Sequence, residues 1–354
     1  MLSGMKTHGF AATAHNKPLS PFSFDRRELR ANDVAIEILY SGICHTDLHT
    51  ARNDWGITAY PVVPGHEIIG RVIAVGSEVK ARKVGDAVAV GTMVDACMTC
   101  DQCRRGEEQM CRTLPTYTFG GHDRVTGELT QGGFAKHLVV REEFALAVPK
   151  GLDLTRAAPL LCGGVTVYSP LRTWKVGPGS RVGVVGLGGL GHLAVKFAVG
   201  LGAHVTVLSR TKDKEAGALA LGADALLVSS DAEAVKRAAS SFDVIIDTVP
   251  YKHNLSPYVS LLDIEGTLVL VGQLGPVDEL NTFPLVAGRR RIVGSPSGGL
   301  SETQEMLEFC ARKNILPDVE VIRLEQVNEA FVRLDRSDVR YRFVIDMTKF
   351  GGAV

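Results

Sequence analysis

SRVGVVGLGGLGH, residues 180–192, places a short apolar run, a glycine-rich turn and the start of a helically spaced segment side by side. The run RVGVV is dense in β-branched residues and stops at a glycine, as a buried strand does. The segment from Leu190 to Leu201 has helical spacing. The turn between them matches G-x-G-x-x-G, with Gly186 for the tight bend, Gly188 for close approach to the backbone and Gly191 for helix-on-strand packing. Gly186, Gly188, Gly189, Leu190 and Gly191 would then turn backbone N–H groups, and the positive end of a helix, toward a pyrophosphate. Alone, such a loop is weak evidence, and the flanking sequence has to support it.

It does. HVTVLS (204–209), ALLVSS (225–230), FDVIIDTV (242–249) and GTLVLVG (266–272) read as strands, with KEAGALALGA (214–223) as a helix between the first two. Strands alternating with helices predict a parallel, doubly wound sheet. Before residue 155 the texture is different. DVAIEILYSGI (33–43), IIGRVIAVGSEV (68–79), VGDAVAVG (84–91) and AKHLVVR (135–141) are short strands between Gly and Asp turns, so this part is mostly β. After Ser297 a helix, ETQEMLEFCARKN (302–314), leads into two closing strands, EVIRL (320–324) and RFVIDM (342–347). At 354 residues the chain is too long for one hydrophobic core.

Hydrophobic residues make up 45% of the chain and the formal net charge is zero, which disfavours nucleic acid or an anionic membrane as the main partner. No apolar run reaches the roughly 18 residues of a membrane span. The N-terminal MLSGMKTHGFAATAHN has no apolar signal core, so a cytoplasmic location is expected. In that compartment thiols stay reduced, and clustered cysteines point to metal.

The end of the second strand bears on which dinucleotide is bound. An NAD site places Asp or Glu about 20 residues beyond the glycine loop, on the ribose hydroxyls. Here Ser209, Arg210 and Thr211 are followed by Lys212 and Lys214. Hydroxyls and cations suit an additional 2′-phosphate, so NADP(H) is expected over NAD(H).

The spacing Cys97-x2-Cys100-x2-Cys103-x7-Cys111 fits four thiolates around a tetrahedral zinc, with an iron–sulfur cluster as the lesser alternative. A closed shell of four cysteines has no open position for substrate, so these thiols are structural. Of the remaining three, Cys310 lies on the apolar side of a helical segment and reads as core. Cys44 stands in SGICHTDLHT, Cys162 in PLLCGGVTVYSPL, and PGHEIIG between them carries His66 and Glu67. Two thiols and an imidazole make a plausible three-ligand zinc site with its fourth position free.

Taken in order, GICHTDLH, GHEIIGRV, the four-cysteine segment, LLCGGVTVYSPL and GLGGLGH resemble the zinc-dependent medium-chain alcohol dehydrogenases. Within them the chain is most similar to the cinnamyl-alcohol-dehydrogenase-like branch, and to bacterial YahK-type NADPH-dependent aldehyde reductases. The resemblance implies an α/β protein. A mostly-β GroES-like catalytic domain (1–155 and 298–354) would enclose a Rossmann-type doubly wound parallel-sheet domain (156–297). It implies two Zn2+ per chain: a catalytic ion on Cys44, His66 and Cys162, with Glu67 as an occasional ligand, and a structural ion on Cys97, Cys100, Cys103 and Cys111. Thr46 and His49 would relay a proton, the imidazole exchanging it with solvent near neutral pH, and Asp47 would orient ligands.

The cofactor residues implied in the same way are Thr166, Val249 and Ser297 toward the nicotinamide, Arg342 at the pyrophosphate, and Thr248 and Gly272 as further cofactor-binding positions. Ser209, Arg210, Thr211 and Lys214 would lie at the 2′-phosphate. Trp55 is a candidate wall of the substrate pocket. The implied activity is NADPH-dependent reduction of aldehydes to primary alcohols by a homodimer pairing around RRIVGS (290–295). One segment departs from the YahK-type pattern: RTLPTYTFGGHDRVTGELTQGG (112–133), so substrate choice is open. Three other readings compete, one of them a non-catalytic relative that binds nucleotide only and would need a vacant zinc site. An NAD-dependent alcohol or polyol dehydrogenase would keep the fold, and a zinc ribbon on nucleic acid would conflict with the neutral charge.

Overall fold

A computed structural model describes residues 4–277 and 279–351. The chain divides into two compact units, residues 1–162 with 298–354, and residues 163–297. The first break therefore falls seven residues beyond the expected 155. A helix at Leu154–Ala157 and a single turn at Ala158–Leu161 stay with the first unit. Arg156 donates to the carbonyl of Pro317, and any side chain at Gly91 would press on the Leu161 carbonyl at 2.9 Å.

The first unit is organised by one long strand, Asp33–Ile43. Ile68–Val75 pairs antiparallel along one of its edges. The other edge is shared end to end by two strands. His137–Arg141 takes the Asp33 end, and Arg342–Asp346, from the far end of the chain, takes Tyr40 to Ile43. Ala87–Val90 and Leu146–Ala147 extend the sheet beyond Ile68–Val75, and Val319–Ile322 joins Arg342–Asp346 in parallel. Val34, Ile36, Ile38 and Ile43 are fully buried together with Phe134, Phe144 and Phe343. Each such side chain contributes about 1.5–3 kcal/mol of burial. Phe343 pairs with Ile43, which carries Arg342 to the end of the strand where Cys44 begins a helix.

The second unit is a six-stranded sheet with every pairing parallel. Its order is Ala225–Val228, His204–Ser209, Arg181–Val185, Phe242–Asp247, Leu262–Leu270 and Arg291–Gly294. In chain order this is 3-2-1-4-5-6, the arrangement that binds dinucleotides where the strand order reverses. The helix Gly191–Gly200 follows the glycine loop, and its Phe197 meets Tyr168 of the helix Gly163–Thr173 edge-on at 5.3 Å. The strand Arg291–Gly294 is an outer edge, and Phe283 and Val286 are strongly exposed on the preceding helix Phe283–Gly288.

Several helices were not anticipated, among them His45–Arg52, Gly163–Thr173 and Val327–Asp335. His45–Arg52 and Gly163–Thr173 have no clean apolar period, the first being polar and the second containing Pro170. Val327–Asp335 does carry a readable spacing at Val327, Ala330, Phe331 and Leu334, and all four are buried.

Candidate active site

Cys44 closes the long strand and caps the helix His45–Arg52. It is an unusual cap. The Asp47 carboxylate, three residues on, accepts from the Cys44 backbone N–H at 2.8 Å, in the manner of a capping box. The same carboxylate is fully buried and has two further partners. Its Oδ1 accepts from the Gly65 N–H at 2.9 Å and from His66 Nδ1 at 3.1 Å. With Nδ1 occupied in this way, His66 is left to present Nε2. Burial disfavours a charged His66, but Asp47 and Cys44 together outweigh burial and hold its pKa well above the ordinary value.

Cys44, His66, Glu67 and Cys162 each bring a ligand atom to one place, all within 4.8 Å of one another. The hydrogen bond from the Cys162 thiol draws the Cys44 pKa well below the ordinary thiol range, and His66 and Arg342 add to the effect. That same bond, with burial, pushes Cys162 up. Glu67 is pushed up to about 7 by burial, against the pull of Arg342. Its Oε1 is engaged by the Arg342 guanidinium, while Oε2 is buried without a partner. Gly42 makes room for that free oxygen, since a Cβ there would collide with it. Burial works against the Arg342 charge too, yet Glu67 and the two thiols keep it firmly protonated.

Arg342, expected at a pyrophosphate, places one guanidinium nitrogen on Glu67. No local sequence signal could have joined residues 275 positions apart.

Around this cluster the Thr46 hydroxyl lies 3.7 Å from the Cys44 sulfur. His49 Nδ1 is 2.7 Å from the Asp54 carboxylate, and its ring packs beside Trp55 with centroids 5.5 Å apart. Asp54 was not foreseen. Trp55, the candidate pocket wall, is 43% exposed, so its ring is only partly packed. The divergent segment 112–133 reaches the cluster through Phe119, whose ring lies 5.5 Å from His66. The segment's last glycines clamp the same place: Gly132 N–H donates to Val63 O and Gly133 N–H to Gly65 O.

The four sulfurs of Cys97, Cys100, Cys103 and Cys111 also lie within 4.8 Å of one another, with Cys97 and Cys103 at 3.8 Å. A tetrahedron with metal–sulfur bonds of about 2.3 Å has an edge of about 3.8 Å, so the donor set fits zinc. Backbone N–H groups converge on these sulfurs, Cys100 on Cys97 at 3.3 Å and Cys103 on Cys100 at 3.5 Å. Backbone hydrogen bonds from Thr99 and Cys100 lower the Cys97 pKa to about 5. The second cluster fits the same ion on other grounds. It has two sulfurs, an imidazole held at the opposite nitrogen, and a carboxylate oxygen with no protein partner.

In the second unit Gly186 has φ +86°, and a Cβ on it would meet Thr248 and Val249 near 3 Å. A Cβ on Gly191 would strike the Gly186 carbonyl, whereas the space around Gly188 is open. Thr248, Val249 and Gly272 come together, since a Cβ on Gly272 would meet the Val249 carbonyl at 2.8 Å. Leu190 precedes the helix that Gly191 begins. Ser209 is buried at its strand end and accepts from the Thr211 N–H at 3.4 Å, while Arg210 and Lys214 are exposed. The Thr211 hydroxyl is engaged by Asp213, a carboxylate the sequence reading passed over. Thr166 lies in the helix Gly163–Thr173 and Ser297 after the last strand of the sheet, both half-buried.

Two family models match the chain, the alcohol dehydrogenase GroES-like domain over residues 30–150 and the zinc-binding dehydrogenase over 189–312. A mannitol dehydrogenase from Petroselinum crispum is 52% identical over 93% of this chain and 98% of its own length. An NADP-dependent alcohol dehydrogenase from Mycolicibacterium smegmatis is 49% identical over 95% of this chain and 97% of its own. A solved cinnamyl alcohol dehydrogenase from Sorghum bicolor superimposes with a TM-score of 0.95 at 46% identity, covering 99% of this chain and all of that one. The chain belongs to the zinc-dependent medium-chain alcohol dehydrogenases, in their cinnamyl-alcohol-dehydrogenase-like branch. Like them it is an oxidoreductase interconverting alcohols and carbonyl compounds.

Proposed function

We propose that this chain is an NADP(H)-dependent zinc aldehyde reductase, reversibly an alcohol dehydrogenase, acting on a broad range of aromatic and aliphatic aldehydes. The observation that carries the reading is the convergence of Cys44, His66 and Cys162, with Glu67 tied to Arg342. In this reading those three hold the catalytic zinc and Glu67 is kept back as a fourth donor. A second zinc sits on Cys97, Cys100, Cys103 and Cys111. Bound at the first site, zinc supplies Lewis-acid activation of a carbonyl oxygen. The dinucleotide supplies the hydride.

The protein's part is orientation and proton supply. Asp47 fixes the tautomer and direction of His66. Arg342 offsets the carboxylate charge beside the thiolates. Thr46 is donor and acceptor at once, and can pass a proton to a product oxygen while receiving one. His49, held at Nδ1 by Asp54, keeps Nε2 for exchange with solvent. Gly186, Gly188, Gly189, Leu190 and Gly191 take the pyrophosphate, and Thr166, Thr248, Val249, Gly272 and Ser297 the nicotinamide end. Ser209, Arg210, Thr211 and Lys214 take the 2′-phosphate. The open edge Arg291–Gly294 is the pairing surface of a homodimer. A cytoplasmic location accords with seven unpaired cysteines.

Metal analysis with a steady-state aldehyde panel tests this. The expectation is two zinc per chain, a higher kcat/KM with NADPH than with NADH, and loss of turnover but not of NADPH binding in Cys162→Ser. One rival is an NAD-dependent alcohol or polyol dehydrogenase, and the mannitol dehydrogenase relative bears on its polyol substrate alone. Faster oxidation of mannitol with NAD than reduction of any aldehyde with NADPH would establish the rival instead.

A further inference from the structure

At the carboxyl end of the strand Phe242–Asp247, beside the glycine loop, the second unit holds a histidine that the mechanism above does not use. Asp247 is fully buried. Its Oδ1 accepts from the Val249 N–H at 3.1 Å, and its Oδ2 lies 2.9 Å from His253 Nε2. The other ring nitrogen, His253 Nδ1, lies 2.7 Å from the carbonyl oxygen of Tyr251. Both nitrogens therefore face pure acceptors. A neutral imidazole has one N–H and one lone pair, so it satisfies only one of these contacts and sets its lone pair against oxygen at the other. The doubly protonated ring satisfies both.

The turn closed by this ring, residues 248–253, is not a remote loop. Thr248 donates its hydroxyl to the Val185 carbonyl at 2.7 Å, and the Val249 side chain would be touched by any Cβ on Gly186. On its other side the backbone of Val249 and Pro250 lies against Gly272. The turn is thus wedged between the glycine loop and the next strand end, at the switch point where a dinucleotide binds. Two groups face His253 closely. One is the Asp247 carboxylate. The other is Tyr258 of the helix Ser256–Leu261, edge-on at 5.7 Å, whose hydroxyl is held by Ser229 and whose neighbourhood includes Arg210. Lys252 is its neighbour along the chain.

We propose that the His253 imidazolium is a proton lock on the turn 248–253, a positioning residue through which NADP(H) affinity falls as pH rises. This rests on the reading that the glycine loop binds NADP(H). The sign follows from which ring form the turn needs. The hydrogen bond to Asp247 raises the His253 pKa above its ordinary value. Its stabilisation is therefore complete below the ordinary histidine value of about 6.5 and is lost as pH climbs through the raised one. Loss of the lock leaves Thr248 and Val249 free to depart from Gly186, and the cofactor must then pay to order them.

The test uses the full-length, zinc-loaded chain. NADPH dissociation constants are measured by nicotinamide fluorescence from about pH 6.5 to 9, above the 2′-phosphate titration near 6. The wild type is expected to weaken by roughly fivefold or more over that range. His253→Gln should be flat and close to the wild-type value at high pH. Asp247→Asn, which keeps an acceptor for Val249 but no charge, should move the break to lower pH. Nitrogen-15 NMR of the wild-type ring reads the lock directly and depends on no variant, with both nitrogens protonated expected at pH 7. A neutral ring at pH 7, or a His253→Gln profile that superimposes on the wild type, overturns the proposal. Equal NADPH affinity at every pH overturns it too, even where both ring nitrogens are protonated. No NADPH binding at any pH overturns the cofactor reading as well.

Discussion

Asp47 shows how one side chain sets the geometry of a centre it does not join. Its two oxygens serve the Cys44 N–H, the Gly65 N–H and His66 Nδ1, so the first thiol and the imidazole share one buried acceptor. Asp47→Asn is nearly the same shape but replaces one acceptor oxygen with a donor, which faces either an N–H or the ring. Zinc affinity or kcat should fall by about 10–100-fold, with NADPH binding little changed. A variant matching the wild type in metal content and turnover would show that His66 is oriented by something else. The residue types of the site were legible in the sequence, because the two thiols, the imidazole and Asp47 all sit in the short motifs GICHTDLH, GHEIIG and LLCGGVTVYSPL. Arg342 was readable only as a cation at the start of a strand. Its contact with Glu67 arises because the strand Arg342–Asp346 pairs beside Ile43, a register no local pattern announces.

Among the elements, the four-cysteine lobe and the helix Leu300–Lys313 illustrate a dependence across the chain. That helix is preceded by Gly299 and has no side-chain cap of its own. The acceptor comes from the lobe instead, where Glu108, almost fully buried, takes the Leu300 N–H at 2.9 Å. A carboxylate at a helix start also meets the positive end of the dipole. Glu108→Ala should destabilise the chain by about 1 kcal/mol, read as a lowered thermal midpoint, and Glu108→Gln by less. Turnover at low temperature should be nearly unaffected by either. An unchanged midpoint in Glu108→Ala would mean that water or a neighbour replaces the cap. The parallel strands were easy to read because both faces are covered and their sequences are continuous apolar runs. The polar helix His45–Arg52 was not, since its position comes from the cap and from the strand before it.

Across the whole molecule, two metal clusters divide the work, and staged metal removal should separate them. The cluster with Cys44, His66 and Cys162 includes two half-buried thiols and a carboxylate already satisfied on one oxygen. The four-cysteine cluster is closed by sulfur and braced by backbone N–H groups. Brief chelation that takes one zinc equivalent should abolish turnover and leave the thermal midpoint almost unchanged. Removing the second should lower the midpoint by several degrees, because metal binding there is coupled to folding. If the first equivalent lost lowers the midpoint while activity survives, the two assignments are reversed.

By itself the sequence determined the local events: where strands alternate with helices, where glycine lets the chain bend toward a phosphate, and which thiols are close enough in the chain to share an ion. These depend on neighbours within a few residues, so spacing encodes them. Only the tertiary structure decided which distant groups share one low-dielectric space. There Arg342 meets Glu67 and Phe119 meets His66, all within the first unit. Those meetings follow from sheet register and from burial, which strengthen every charge and hydrogen bond brought inside and which belong to the folded chain as a whole.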